Sequence, residues 1–504
     1  MSASPPPNPT ITEKSYPQWA REVRKEQPPA SIDEYFLTWA AFFDHYALVM
    51  QNWRKRNAGY HSALASLIQF YVPKDSRVLE LGSGSGDLLA AAHPRRGVGI
   101  DISAEMTRLA RERHPHLEFH QMAAERLDLG GEKFDYVILS DLPGFLFDIR
   151  MAFERIRTVC HPGTRIIVSW HSRVWQPIIT AAEWLGLKYP QPLLNWTTNE
   201  DLINLLDLAD FGVVHRRQHI LLPKRVPLLS SLFNRFLAHL PGIQPFCLTN
   251  WIVARPMQLE SGDSRPTVSV ICPCRNEAGN IRQIADRLPS MGRHTELIFV
   301  EGHSTDDTLA TCRQVADENP HKDISVYVQE GRGKGDAVRL GFSRAKGDIL
   351  MILDADISVA PEDLVSFYDA LARGKGDFVN GCRLVYTMDP KAMRFLNLAG
   401  NRFFALLLSK LMGQPIKDSL CGTKVLWRRD YEELARNRGY FGEVDPFGDF
   451  DLLFGAAKLN LKIVEIPIRY RQRIYGSTNI NRFADGWLLL RMSAKAAARL
   501  FFVA

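Results

Sequence analysis

The chain has 504 residues, 46% of them hydrophobic and 23% charged. That is too long for one ordinary core and too apolar for a disordered protein, so two or three folded domains are expected. A formal net charge of +6 suits a phosphate, a nucleotide or an acidic membrane surface, and is too weak to argue for nucleic acid as a partner. The seven cysteines are odd in number, scattered and without a CxxC pair, which argues against a disulfide framework or a zinc site.

Residues 1–14 are rich in Pro and Ser, lack the apolar core of a signal peptide and are expected to be disordered. No apolar run reaches the roughly 18 residues of a spanning helix, so a cytoplasmic protein is expected. Aromatic and apolar residues recur every three or four positions over residues 32–71, a helical pattern. Then short apolar runs alternate with helical stretches: RVLELGSG, GVGID, FDYVILSD, TRIIVSW and, later, NWIVARP. This texture predicts a mostly parallel α/β sheet. The polar stretch 257–266 is the predicted linker between a domain over residues 15–256 and one over residues 267–504. After it the alternation restarts with TVSVICPC, ELIFVEG, ISVYVQ, DILMILDAD and DFVNGC, and the two halves share no repeat.

In the first half a strand through Glu80 runs into Gly82, Gly84 and Gly86, and the next strand closes on Asp101. Glycines permit a sharp turn and a close ligand, and an acid in that place accepts ribose hydroxyls in nucleotide-binding folds. A dinucleotide fingerprint would place Gly or Ala where Asp87 stands. The pattern ELGSGSG instead resembles the first motif of class I S-adenosylmethionine (SAM)-dependent methyltransferases, which implies a Rossmann-like domain. On that resemblance Gly82, Gly84 and Gly86 border the methionine part of SAM, Asp101 holds the ribose, and Glu80 belongs to the cofactor-binding set. Ala124 and Glu125 lie where adenine is held, with Ala123 in place of a frequent Asp. Asp141, closing FDYVILSD, stands where methyl group and acceptor meet; a helix cap is its alternative. Arg54, Arg56, Tyr60 and His61 are candidates to close the pocket, with surface and packing roles as the alternative. The irregular stretch from Trp170 to Phe246 is where an acceptor would be read, and it discloses none.

In the second half the apolar strand ILMIL closes on Asp354 and Asp356. Strand alternation would start both carboxylates on one side, where they repel unless a cation lies between them. A divalent ion with oxygen ligands, Mg²⁺ or Mn²⁺, also binds a diphosphate. Together with the P-x-x-N-E turn (Pro273, Asn276, Glu277) and IFVEGHSTDDT, which carries Glu301 and Asp306, this resembles family 2 glycosyltransferases. That resemblance implies a GT-A fold and a UDP- or GDP-sugar donor held by Pro273, Asn276, Glu277, Glu301, Asp306, Lys334 and Asp354. Gly302 and His303 depart from the family's usual motif. GRGKG around Lys334, DSLCGTK from Asp418, and EIPI followed by Arg473 and GSTN narrow the likeness to dolichol- and polyprenyl-phosphate sugar synthases. Arg473 and Ser477 would then bind an acceptor phosphate, with Asn479 where a lysine is common. In GDFD the likeness favours Asp451 over Asp449 as the acidic catalytic residue, a general base for a hydroxyl acceptor.

Two segments, residues 391–412 and 485–504, set basic residues beside apolar ones. Arg491, Lys495 and Arg499 recur every four residues, as in helices lying in an anionic headgroup layer. The expected protein is therefore an α/β bifunctional enzyme that transfers methyl groups and sugars, peripheral on the inner face of the cytoplasmic membrane when lipid-bound. The alternative is a glycosyltransferase acting on a hydroxyl acceptor, with a SAM-binding regulatory or scaffold domain.

Overall fold

A computed structural model describes residues 31–185, 187–189, 191, 195–227, 229–240, 242–257, 265–384, 395–437, 448–468 and 482–501. The chain divides into two compact units, one reaching Pro256 and one starting at Met257. All seven cysteines are free and buried.

In the first unit β1 (Arg77–Leu81), β2 (Arg96–Asp101), β3 (Glu118–Gln121), β4 (Phe134–Ser140), β5 (Cys160–His171), β6 (Phe211–His219) and β7 (Thr249–Pro256) form one sheet. Its order is β3-β2-β1-β4-β5-β7-β6. Strands β1 to β5 run parallel, and β7 is antiparallel to both neighbours. Alternate residues of β4 feed opposite faces: Val137 and Leu139 enter one core, Tyr136 and Ile138 the other. Both faces are covered, which is why these strands read as continuous apolar runs. The chain goes from β1 outward to β2 and β3 and returns beyond β1 to β4, so the strand order reverses between β1 and β4. Ligands bind beyond the carboxyl ends of strands at such a point. The glycine loop leaves β1 there, and Asp141 leaves β4 there. This is the Rossmann-like architecture expected.

The predicted helical stretch is two helices, Ile32–Arg56 and Ala58–Tyr71, broken at Asn57. Ser31 caps the first by accepting from the Glu34 N–H at 3.2 Å. Asp33 and Glu34 open it and Arg54, Lys55 and Arg56 close it, each charge matching the helix dipole.

The second unit repeats the logic with β8 (Val268–Cys274), β9 (Thr295–Glu301), β10 (Asp323–Val328), β11 (Ile349–Ile352), β12 (Phe378–Cys382), β13 (Lys424–Trp427) and β14 (Ile463–Pro467). The order is β10-β9-β8-β11-β13-β12-β14. Strands β8 to β11 are parallel, and β13 runs against β11 and β12. Here the order reverses between β8 and β11, which places the Asn276–Glu277 turn beside Asp354. Helices Phe395–Met412 and Arg482–Ala496 pack on one another within this unit. Among the described residues no helix is long and apolar enough to cross a membrane.

Candidate active sites

The glycine loop of the first unit is a left-handed turn, with φ of 70°, 49° and 75° at Gly82, Gly84 and Gly86. A Cβ on Gly86 would come within 2.5 Å of the Phe119 ring, whereas one on Gly84 would meet nothing within 4 Å. Gly86 is thus demanded by packing, and Gly84 by its conformation beside open space. Asp101 Oδ2 accepts the Gly84 N–H at 2.8 Å and Oδ1 accepts the Ser103 N–H at 2.9 Å. Burial pushes the Asp101 carboxyl up to about 6. Glu80 is more deeply buried; it accepts the Leu89 N–H at 3.0 Å, and burial pushes it up to about 8.

Asp101 and Glu80 line a cavity of about 330 Å³, at the lower end of the range for small-molecule sites, and Gly86 lies outside its lining. Gly82, Gly84, Ala123, Ala124, Glu125 and Asp141 also face it, as do Arg54 and His61. Glu125 is fixed by accepting the Phe147 N–H at 2.8 Å, and burial raises its pKa. Burial, with Arg54 beside it, pulls His61 down to about 4. Asp141 is in the left-handed region (φ 56°) and caps no helix; the following short turn is capped at Leu142 without a side-chain bond. The Tyr60 hydroxyl instead donates to Asp141 Oδ2 at 2.7 Å, and His171 Nδ1 lies 3.6 Å from Oδ1. Burial, reinforced by Asp141, pushes the Tyr60 phenol well above its ordinary value and keeps it a proton donor. Arg56 stacks over Trp53 at 5.1 Å and lies outside the cavity lining.

Two features were missed in the sequence. One is His171, whose place beside Asp141 depends on β4 and β5 being neighbours. The other is the helix Ile32–Arg56, which roofs the cavity with Tyr35, Phe36, Trp39, Phe43, Tyr46 and Met50. Its aromatic period was visible; its destination was not. Asp44 fastens it by accepting the Ser103 hydroxyl at 2.5 Å and the Glu105 N–H at 3.0 Å. Arg54 fastens it again, on Ser85 at 2.9 Å and Asp87 at 3.0 Å.

In the second unit the two upstream motifs lock together. Asn276 Oδ1 accepts the Thr305 N–H at 2.8 Å, and the Asn276 N–H donates to Ser304 Oγ at 3.0 Å. The Glu277 N–H donates to Thr308 Oγ1 at 2.9 Å, and Glu277 Oε2 accepts from Asn280 at 2.7 Å. Asp306 Oδ1 accepts the Thr308 N–H at 3.1 Å, and buried Glu301 accepts the Ser304 N–H at 2.5 Å. Asn276 and Asp306 therefore spend hydrogen bonds on shaping the loop, half-buried Pro273 precedes it, and exposed His303 is a turn residue at φ 58°.

Asp354 and Asp356 lie beyond β11, which ends at Ile352, so strand alternation does not set their directions. The chain turns at once: the Ile357 N–H reaches Asp354 O, and Ile357 itself has φ 52°, a strained value for a β-branched residue. Asp356 Oδ1 accepts the Ser358 N–H at 3.0 Å. Lys334 Nζ lies 2.5 Å from Asp354 Oδ1. Burial works against that lysine's charge, but Asp354 and then Asp449 outweigh it and hold its pKa above the ordinary value. Gly422 sits under the pair; a Cβ there would lie 2.0 Å from Asp354 Oδ2 and 2.3 Å from Lys334 Nζ. Asp449 opens the helix Asp449–Lys458 and lies 3.3 Å from the wholly buried Lys424. Asp451, two residues further along the same helix, is half-buried. Arg473, Ser477 and Asn479 lie outside the described residues.

The Glycosyl transferase family 2 profile matches residues 269–435, and a Methyltransferase domain profile matches residues 53–216. The chain is 30% identical over 246 residues to the low-salt glycan biosynthesis hexosyltransferase Agl6 of Haloferax volcanii, covering 47% of this chain and 56% of that protein. It thus spans little more than half of that relative's length. It is 31% identical over 210 residues to a dolichyl-phosphate hexose transferase of the same organism, covering 41% of this chain and 82% of the relative. These matches and the geometry of the two units agree: the chain belongs to glycosyl transferase family 2 through its C-terminal GT-A unit, and joins to it an N-terminal methyltransferase domain.

Proposed function

We propose that the C-terminal unit transfers a sugar from a nucleoside diphosphate donor to a polyprenyl phosphate at a membrane surface, and that the N-terminal unit methylates an acceptor with SAM. The observation that carries the first half is the Lys334–Asp354 pair over Gly422. A cation already sits on the first carboxylate of the Asp354–Asp356 pair, at the sheet's switch point.

The residues fit a divalent ion of a particular kind. Among the described residues no cluster of three or more His, Cys, Asp or Glu forms a resident cage. Two carboxylates suit an octahedral ion that completes its shell with phosphate oxygens and water. Held by Asp354 and Asp356 with the donor, it would neutralise the diphosphate leaving group. Lys334 is placed to take a phosphate oxygen, while Glu301 and the Asn276–Asp306 loop shape the pocket for the nucleoside. A phosphate acceptor is already a nucleophile, so Asp449 and Asp451 would orient it; with a hydroxyl acceptor Asp451 would become the general base. The lipid acceptor is supported by the dolichyl-phosphate activity of a relative. Exposed Phe403, Leu406 and Trp487, next to basic Arg402, Arg491 and Lys495, support it as well.

In the N-terminal unit the cavity, the open Gly84 backbone and the Asp101 carboxylate fit a nucleoside carrying an amino-acid tail. SAM would supply an electrophilic methyl group there. Asp101 binds ribose, Ala124 and Glu125 border the base, and the roofing helix excludes water. Asp141, held by Tyr60 and next to His171, faces the acceptor and takes or relays its proton.

The test combines donor binding with transfer to polyprenyl phosphate in vesicles. The D354N and D356N variants should lose Mn²⁺- or Mg²⁺-dependent donor binding and keep SAM binding. Full transfer in excess chelator, or glycosylation of a soluble acceptor while polyprenyl phosphate is ignored, refutes the reading.

A further inference from the structure

The region between the sixth and seventh strands of the methyltransferase unit contributes no residue to the lining of the cavity described above. Residues 211–259 contain no Asp or Glu, yet six Lys or Arg. Within them the short helix Leu229–Arg235 runs on into a 3-10 turn at Leu237–His239. Leu229 and Leu232 are three residues apart on the helix, Phe236 and Leu240 flank the 3-10 turn that follows it, and each of the four is 47–48% exposed. The outward direction is set by the opposite side. Asn234 is clamped to the preceding loop, donating to Leu222 O at 2.9 Å and accepting the Leu222 N–H at 2.8 Å. Ala238 is fully buried. Phe246, 58% exposed, extends the apolar surface, and its carbonyl accepts from Trp175 Nε1 at 2.7 Å.

Basic side chains rim this surface. Arg225 and Arg235 are exposed on it. Lys224 Nζ donates to Asn57 Oδ1 at 2.8 Å, which joins it to the exposed Lys55 and Arg56 at the end of the roofing helix. Contiguous apolar surface of this kind marks an interaction site in a folded protein. A polar protein partner would be met by charges of both signs. Exposed Leu and Phe on a segment that carries cations and no Asp or Glu match the boundary between anionic headgroups and acyl chains.

We infer that this face of the methyltransferase unit seats on an anionic lipid surface. The contact is separate from the C-terminal helices and does not rest on the sugar-transfer reading. It also gives Arg56 a use, in the basic rim.

The experiment is sedimentation of the full chain with phosphatidylglycerol–phosphatidylcholine vesicles at low salt. Wild type is compared with R225E/R235E/L232S and with R491E/K495E/R499E. The first variant should lose vesicle partition by about tenfold or more while keeping SAM affinity, and combining the two should lower it further. Should the first variant lose SAM binding, the milder R225Q/R235Q variant should still weaken partition several-fold with SAM binding retained. Unchanged partition in variants that bind SAM overturns the inference. So does light scattering that shows a dimer dispersed by the first variant with vesicle partition intact, since the face would then cover a second copy.

Discussion

At the scale of single residues, the strongest steric demand in either site falls on Gly422. A side chain there would have to push the ends of Asp354 and Lys334 aside, because the two meet where its Cβ would stand. Gly422→Ala should separate that pair and reduce metal-dependent donor binding by at least tenfold, while thermal stability changes by only about 1–3 kcal/mol. Isothermal titration with a nucleotide sugar and Mn²⁺ checks this; wild-type affinity in the variant would show that the pair has no part in the donor site. Gly422 stood in the quoted DSLCGTK stretch, but nothing in sequence marks it as lying beneath Asp354, which is 68 positions earlier (422 − 354). Asp354 and Asp356 are legible in sequence as two acids next to an apolar strand, but their directions are not. A tight turn after β11 sets them, and not the alternation of a strand.

At the scale of elements, two carboxylates act as fasteners. Asp44 ties the roofing helix Ile32–Arg56 to Ser103 and Glu105 beside the exit of β2. Asp44→Ala leaves those donors unpaired at a cost of about 1–3 kcal/mol. The helix should then open more often, seen as faster amide exchange over residues 32–56 and weaker SAM binding, with donor binding in the other unit unchanged. In the second unit Asp418, wholly buried, accepts from Arg383 through Nε at 2.7 Å and through a second guanidinium nitrogen at 2.8 Å. Asn401 of the helix Phe395–Met412 adds a bond at 2.8 Å. Burial opposes the Asp418 charge, and Arg383 outweighs it and lowers the pKa. Asp418→Ala strands a guanidinium in the interior and should cost about 3–5 kcal/mol, measurable by denaturant unfolding of that unit. A loss below about 1 kcal/mol would show the pair to be solvated in solution.

At the scale of the whole molecule, stability should depend on alkaline pH through Glu80. Its carboxyl is raised in the fold to about 8, from an ordinary value of 4.5. The folded state therefore holds a proton that the unfolded state has released, and the resulting stabilisation fades as pH rises through 8. Between pH 7 and 9 the loss is about 1.4 kcal/mol, or roughly 3–5 °C in the melting of the N-terminal unit. Scanning calorimetry should show this drop in the wild type and its absence in Glu80→Gln. An equal drop in both proteins would assign it to other groups.

The sequence by itself determined that there are two α/β units, where the polar stretch between them lies, and which loops are the candidates for chemistry. Those signals are local: apolar runs bounded by Gly and Asp, a turn that only glycine makes, carboxylates next to a buried strand. Tertiary structure alone decided what meets what. The order β3-β2-β1-β4-β5-β7-β6 brings Asp141, Tyr60 and His171 together from residues 60 to 171. The reversal between β8 and β11 sets the Asn276 loop beside Asp354, and Lys334 reaches it from the start of its own helix. Periodicity shows that a face is apolar, but not which surface it covers. The aromatic face of Ile32–Arg56 therefore read as a helix in sequence and became the roof of a cavity only once the sheet beneath it was assembled.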